Sequence, residues 1–231
     1  MLSIVTINKN NQVGLQRTIN SLASLQPRSY QWVFIDSCST DDSLAIAKQF
    51  STDGDAVVSE PDTGIYNAMN KGVRYATNPL ILFLNSGDTI SDNVNSLEAL
   101  HLNPMVDVTL FGFIIRNIKR MPRNNLWRYW SMPTSHQAMI YSRNLLLQEP
   151  FDEQYRFAAD FEHYLRINHR PLLIDIRREV LISNEPYGSD AHLPILLAEY
   201  KEALIKNGYP KWWASWVFWF KTHYLKWALK R

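Results

Sequence analysis

A single cysteine, Cys38, occurs among the 231 residues, so no disulfide can close within the chain. That usage fits a reducing compartment, and without a Cys-His signature around it Cys38 is a poor nucleophile candidate. Charge of neither sign prevails: the formal net charge of +2 points neither to nucleic acid nor to an acidic partner. No stretch reaches the roughly 20 consecutive apolar residues of a membrane span. The turn after the first apolar run, Thr6 to Asn11, contains no GxGxxG, which argues against a dinucleotide cofactor, and the lone Lys71-Gly72 pair is not a P-loop. Internal repeats and low-complexity tracts are absent as well.

What is present is an apolar fraction of 46%, enough for a substantial core. The opening LSIVTI is too short and too lightly charged ahead of it for a secretory signal, and it reads as a first core strand of a cytoplasmic protein. The first half then alternates. Leu15, Ile19, Leu22 and Leu25 recur at helical spacing over Gly14 to Leu25, and Tyr30 to Ile35 is a second strand ending in Asp36. Ser39, Thr40 and Asp41 are good caps for a helix over Asp42 to Phe50. Ala56 to Ser59 reads as a strand, Asn67 to Ala76 as a helix and Leu80 to Leu84 as a strand. Such repetition predicts a parallel sheet with right-handed crossovers. Later strands are predicted at Val108 to Ile115, Gln137 to Tyr141 and Leu172 to Ile176, with a helix around Asp160 to Ile167.

The most informative stretch is EPDTGIYNAMNKGVRYATNPLILFLNSGD, from Glu60 to Asp88. An uninterrupted apolar strand stops there at a small, acid-terminated loop, and open α/β sheets bind ligands at the carboxyl ends of their strands. Asn85, Ser86, Gly87 and Asp88 offer small neighbours for a phosphate and one carboxylate for a hard cation, the pattern of a nucleotide-diphosphate site.

SIVTIN, VFIDSCSTDDS, SEPDTGIYNAMNKG and LILFLNSGD together resemble the donor half of inverting glycosyltransferase family 2, nearest in kind to bacterial enzymes of exopolysaccharide, capsule and O-antigen assembly. The likeness is strong over the first 90 residues, and later HQ and AAD elements extend it to about residue 170. It implies a GT-A fold: an α/β, mainly parallel, Rossmann-like sheet flanked by helices, with a nucleotide-sugar half at 1–95 and an acceptor half at 96–200. It further implies a UDP-sugar donor and a polyprenyl-diphosphate-linked glycan acceptor.

The resemblance also assigns residues. Asp36 matches the strand-end acid that accepts a hydrogen bond from uracil. Thr6 and Asn8 match first-strand positions lining the base and ribose, Asp62 is implied to contact ribose or uracil, and Lys71 to approach the nucleotide. Asp88 matches the last acid of the Asp-x-Asp motif, which holds Mn²⁺ or Mg²⁺ across the two phosphates. Asn85 and Gly87 stand where many relatives have aspartates, so weak metal affinity is expected. His136, followed by Gln137, is implied to meet a phosphate or the metal. Asp160, in FAADFEHYLRI, matches the general base that takes the acceptor proton during direct displacement, with Glu162 a second candidate. Each has a plainer role open to it: cap or turn residue for Asp36, Thr6, Asn8, Asp62 and Asp160, solvated helix face for Lys71, core imidazole for His136.

From Ala203 to Arg231 there is no acid, while Lys206, Lys211, Lys221, Lys226, Lys230 and Arg231 are basic. On a helical wheel Trp212, Trp213, Trp216, Val217, Trp219, Phe220, Tyr224 and Trp227 share one arc of roughly 160°. This reads as an amphipathic helical tail, 201–231, lying on the anionic inner face of the cytoplasmic membrane. The other reading packs its aromatic stripe on the domain or on a second subunit; a homo-oligomer stays open. Two further functions compete with glycosyl transfer. A sugar nucleotidyltransferase would need a glycine-rich basic loop that Thr6 to Gly14 does not supply, and a silent nucleotide- or glycan-binding subunit fits the thinned acidic motif but not the retained Asp160.

Overall fold

The computed structural model describes residues 1–185 and 192–228, except the side chains of 224–228. The sequence readings on the side chains of Tyr224, Lys226 and Trp227, and on Lys230 and Arg231, lie outside this set. The elements run β1 (Leu2–Asn8), α1 (Gln12–Ala23), β2 (Tyr30–Asp36), α2 (Ser43–Phe50), β3 (Ala56–Ser59), α3 (Ile65–Tyr75), β4 (Leu80–Phe83) and β5 (Thr89–Ile90). There follow β6 (Val108–Ile115), β7 (Ile118–Arg120), β8 (Met139–Ser142), α4 (Arg143–Gln148), α5 (Ala159–Ile167), β9 (Ile174–Asn184), α6 (Leu193–Lys206) and α7 (Lys211–Ala228).

One sheet carries the strands in the order β3-β2-β1-β4-β8-β6-β9-β5, with β7 hairpinned onto β6. Its first four strands are parallel, and β8 joins antiparallel to β4. The fold is therefore α/β with a mainly parallel donor half, as the sequence predicts. Alternation along each strand splits the core in two. Ile4, Trp32, Phe34 and Leu82 face α1 and α2, whereas Val5, Val33, Ile35, Ile81 and Phe83 face α3 and the later helices. Gly72 lets α3 close on β1, since a Cβ there would lie 2.3 Å from Val5 Cγ1.

Three elements depart from the sequence reading. The strand expected at Leu172 to Ile176 runs on to Asn184, because Arg177, Arg178 and Glu179 interrupt its apolar pattern on an exposed stretch while Val180, Leu181 and Ile182 resume it in the core. Helix α6 spans the boundary expected at residue 200, so the tail begins within a packed helix. Helix α7 is not an outlying appendage either. Ala214 and Val217 are buried in the core shared with α5 and α6, and Trp213 donates from Nε1 to the Tyr129 carbonyl at 3.0 Å. The small Ala214 allows close approach, so the packed face lies to one side of the aromatic stripe. Trp212 and Trp219 remain 71% and 56% exposed, with Trp216 and Phe220 beside them. Lys221, read from sequence as lipid-facing, instead lies against the rings of Tyr200, Trp130 and Phe161, with Nζ 4.2 Å from the Tyr200 centroid. Burial pulls its pKa down to about 7. Among the described residues no helix is long and apolar enough to cross a membrane.

Candidate active site

A cleft of about 1120 Å³ opens over the carboxyl ends of β1 and β4. Asn8, Ser37, Asp62, Tyr66, Asn85, Ser86, His136, Arg156, Asp160 and Tyr200 are among its lining residues. The chain shapes this lining with a tight loop after β4. Gly87 adopts φ +109°, a conformation that disfavours a side chain. Its N–H donates to Thr18 Oγ1 at 2.9 Å, and Asn11 Nδ2 donates to the Ser86 carbonyl at 3.0 Å. The loop is thereby tied to α1.

The structure divides the residues proposed from sequence. Asn8, Asp62, His136 and Asp160 line the cleft, and Thr6, Asp36, Lys71, Asp88 and Glu162 are not among its lining residues. Thr6 is fully buried, its hydroxyl accepting from Trp32 Nε1 at 3.0 Å, so it serves the core. Asp36 is fully buried too, accepting from Asn8 Nδ2 (3.1 Å), Ser59 Oγ (2.8 Å), the Ser39 N–H (2.9 Å) and the Ser39 hydroxyl. Although burial raises its pKa, those donors outweigh it and hold Asp36 below the usual carboxylate value. It pins the ends of β1, β2 and β3 together, and Asn8 is the member of that knot that reaches the cleft. Lys71 donates to the Pro61 carbonyl at 2.6 Å and pairs with Glu60 at 2.9 Å, bracing the turn that presents Asp62. Glu162 is buried, paired with Arg166 at 3.1 Å, and so unavailable as a base.

Asp160 has the environment that a base needs. Its Oδ1 accepts from Tyr66 Oη at 3.1 Å and from the Phe161 N–H at 2.8 Å. Burial outweighs those two bonds and pushes its pKa up to about 6. His136 stacks on Phe83 with ring centroids 5.2 Å apart, and burial pulls its pKa down to about 4, so the imidazole is neutral. Both ring nitrogens lack a partner among the described residues, as do Asn85 Oδ1 and Ser86 Oγ. Three neutral polar side chains of the cleft lining thus have polar atoms with no protein partner among the described residues.

Asp88 has one of its two carboxylate oxygens committed within the fold. Its Oδ1 accepts from the Glu185 N–H at 2.8 Å and from Asn184 Nδ2 at 3.2 Å, which fastens β5 to the end of β9. Burial, with the nearby Glu185 charge in the same direction, raises its pKa to about 6 against those bonds. At Gly87 a Cβ would lie 2.0 Å from Glu185 Oε2. Among the described residues no three His, Cys, Asp or Glu side chains converge where an ion could sit.

Several cleft residues escaped the sequence reading. Glu153 accepts from Asn67 and Asn70 at 2.8 and 2.9 Å, closing the cleft beside α3. Asn67 was legible only as the start of a helix, and Tyr66 and Tyr200 as nothing, because the bonds of Asn67 to Glu153 and of Tyr66 to Asp160 join residues far apart in sequence.

Comparison with known proteins bears on the family and the fold. The sequence matches glycosyl transferase family 2 over residues 3–164. A PGL/p-HBAD biosynthesis glycosyltransferase of Mycobacterium bovis is 28% identical over 194 residues, 80% of this chain and 76% of the relative. An uncharacterized glycosyltransferase of Mycobacterium tuberculosis is 30% identical over 178 residues, 71% and 68% of the two chains. Among solved structures, Staphylococcus aureus TarS 1-349 in complex with UDP-GlcNAc has a TM-score of 0.68 at 17% identity, covering 94% of this chain and 70% of that one. Mycobacterium tuberculosis glucosyl-3-phosphoglycerate synthase, solved with Mn²⁺, UDP and glucosyl-3-phosphoglycerate, gives 0.64 at 17% identity, covering 91% and 81%. These two share the fold, and the sequence match over 162 of 231 residues shows that the chain belongs to glycosyl transferase family 2.

Proposed function

We propose that this protein is an inverting glycosyltransferase that moves one sugar from a nucleotide-diphosphate sugar, most naturally a UDP-sugar, to a hydroxyl of a lipid-linked glycan in bacterial surface polysaccharide assembly. The observation that carries this reading is Asp160, a carboxylate with its pKa raised to about 6 that lines the same cleft as Asn8 and Asp62. A base so tuned is deprotonated at neutral pH and still basic enough to take a proton in the transition state. In the proposed reaction the donor base and ribose rest by Asn8, Ser37 and Asp62. The diphosphate meets Asn85, Ser86 and His136, with the cations Lys9 and Arg156 also on the cleft lining. Asp160 removes the acceptor proton as the hydroxyl oxygen attacks the anomeric carbon and the diphosphate leaves from the opposite face. The end of β9 holds Asp88 Oδ1, which leaves Oδ2 as the oxygen that would meet Mn²⁺ or Mg²⁺.

The acceptor class and the membrane site rest on the tail. Trp212, Trp216, Trp219 and Phe220 of α7 are exposed, and two of them meet Trp130, whose ring lies 5.8 Å from Trp216 and 5.1 Å from Phe220. Trp130 closes the segment 116–130, which carries Arg116, Lys119, Arg120, Arg123 and Arg128 and no acid. Aromatic rings beside cations suit an anionic lipid interface, where the protein would sit as a peripheral partner of the inner leaflet. A thermal-shift screen of nucleotides and nucleotide sugars tests the donor assignment, because a ligand of the native state raises its melting temperature. Stabilisation by UDP and by one UDP-sugar supports the reading, and a flat response to every nucleotide removes it.

A further inference from the structure

Helix α5 starts behind Ala158, a residue with no side chain that could cap it. The amides at its entrance are nonetheless taken. Glu199, on α6, accepts from the Arg156 N–H through Oε1 at 2.9 Å, and through Oε2 from the Phe157 and Ala158 N–H groups at 2.8 and 2.9 Å. A carboxylate from another helix, about 40 residues on in the chain, thus holds the turn that leads into α5 by three charge-assisted bonds.

This matters because of where Asp160 lies. It is the second residue of α5, where free amides and the helix dipole favour a carboxylate's charged form and lower its basicity. Glu199 holds the amides ahead of the helix, and Asp160 accepts from the N–H of its neighbour Phe161, from the Tyr66 hydroxyl and from its own N–H. The groups around it come from several elements: Tyr66 of α3, Tyr141 of β8, Tyr200 of α6 and Glu199 itself. The three phenols are all raised by burial and stay neutral near neutral pH, while the Glu199 charge opposes ionisation of Asp160. Arg156 and Phe157, held by the same carboxylate, also line the cleft.

We infer that Glu199 is a positioning residue: by occupying the amides at the entrance of α5 it keeps Asp160 turned to the cleft and basic. The inference rests on the reading of Asp160 as the base, yet it can be tested with no substrate. The probe is the Asp160 carboxyl resonance in ¹³C-aspartate-labelled protein, assigned by its loss in Asp160→Asn and titrated from pH 3 to 9. In Glu199→Gln, which keeps the shape and removes the charge, the Asp160 midpoint is expected to fall by about one pH unit or more. In Glu199→Asp, which keeps the charge, it is expected to fall less. A midpoint that stays put or rises in Glu199→Gln overturns the inference. Should that variant fail to fold, hydrogen exchange on the unaltered protein decides: the Phe157 and Ala158 amides, outside the helix, are expected to exchange at least about a hundredfold slower than free amides, and exchange at the free rate overturns it. A lowered Asp160 midpoint with no nucleotide bound in the thermal screen would sink the transferase reading and leave this one standing. Nucleotide binding with an unmoved midpoint would do the reverse.

Discussion

Asp160 and Asp88 both have pKa values raised to about 6, and both shifts are led by burial, so they carry the same sign in stability. Between about pH 4 and 6 the unfolded chain has given up these protons while the folded chain still holds them, and stability falls as pH rises through that window. Replacing Asp160 by Asn keeps an oxygen for Tyr66 and Phe161 and deletes the cost of the buried charge. The variant is expected to melt roughly 2–4 °C above the parent at pH 8 for each kcal/mol regained, with no such gain at pH 4. Its turnover should drop on the order of a hundredfold or more while UDP binding persists. Calorimetry at the two pH values and a UDP titration check this, and an Asp160→Asn protein no more stable at pH 8 would show that the carboxylate is not strained by burial. For Asp88 the expectation is structural. Asp88→Asn retains the Oδ1 acceptor, so UDP should bind within roughly twofold of the parent affinity, equally in EDTA and in Mn²⁺. A tenfold tightening by Mn²⁺ that disappears in the variant would return Asp88 to the metal.

At the scale of elements, α7 has changed its meaning between sequence and structure. Its aromatic arc is plain in the sequence, but the face that packs is the small one, Ala214 and Val217, which no aromatic count detects. Truncation after Tyr209 is therefore expected to cost on the order of 3 kcal/mol or more, from Val217 and the half-buried Trp213 alone, and to expose the Tyr200 wall of the cleft. A truncated protein with an unchanged denaturation midpoint would make α7 the detached tail that its composition suggests. The parallel strands were legible for the opposite reason: β1, β2 and β4 are buried on both faces and show as continuous apolar runs. Asp160 was legible through the AAD motif in a helix. Glu199 was not, because its partners lie about 40 residues away and its own helix has a nearly uniform apolar spread. Asp36 and Lys71 illustrate the converse limit. Motif position placed them at the right end of the sheet without showing which way their side chains turn.

For the molecule as a whole, the proposed function requires that the cleft meet an acceptor held at a lipid surface, and the distribution of charge and aromatic area gives this a sharp form. Two surfaces adjoin: the aromatic side of α7, and the segment 116–130, which presents Lys119, Arg120 and Arg123 to solvent, the last stacked 3.9 Å over the Trp127 ring. They meet where Trp130 touches Trp216 and Phe220. Lys221 takes no part, since it lies under Tyr200. Replacing Lys119, Arg120, Arg123 and Lys211 by Gln is expected to weaken binding to vesicles containing phosphatidylglycerol mainly at low salt, each cation being worth about 1 kcal/mol near such a surface and screened beyond a Debye length. Replacing Trp212, Trp216 and Trp219 by Ser should weaken it at every ionic strength, because ring burial is not electrostatic. Trp212 and Trp219 stand largely outside the core, so the melting temperature of a variant altered at these two alone should stay close to that of the parent. Co-sedimentation across a salt series reads both effects. If neither set changes the bound fraction, and the Trp variant instead changes from dimer to monomer in solution, then the aromatic face joins two copies of the chain and the lipid surface must be sought elsewhere.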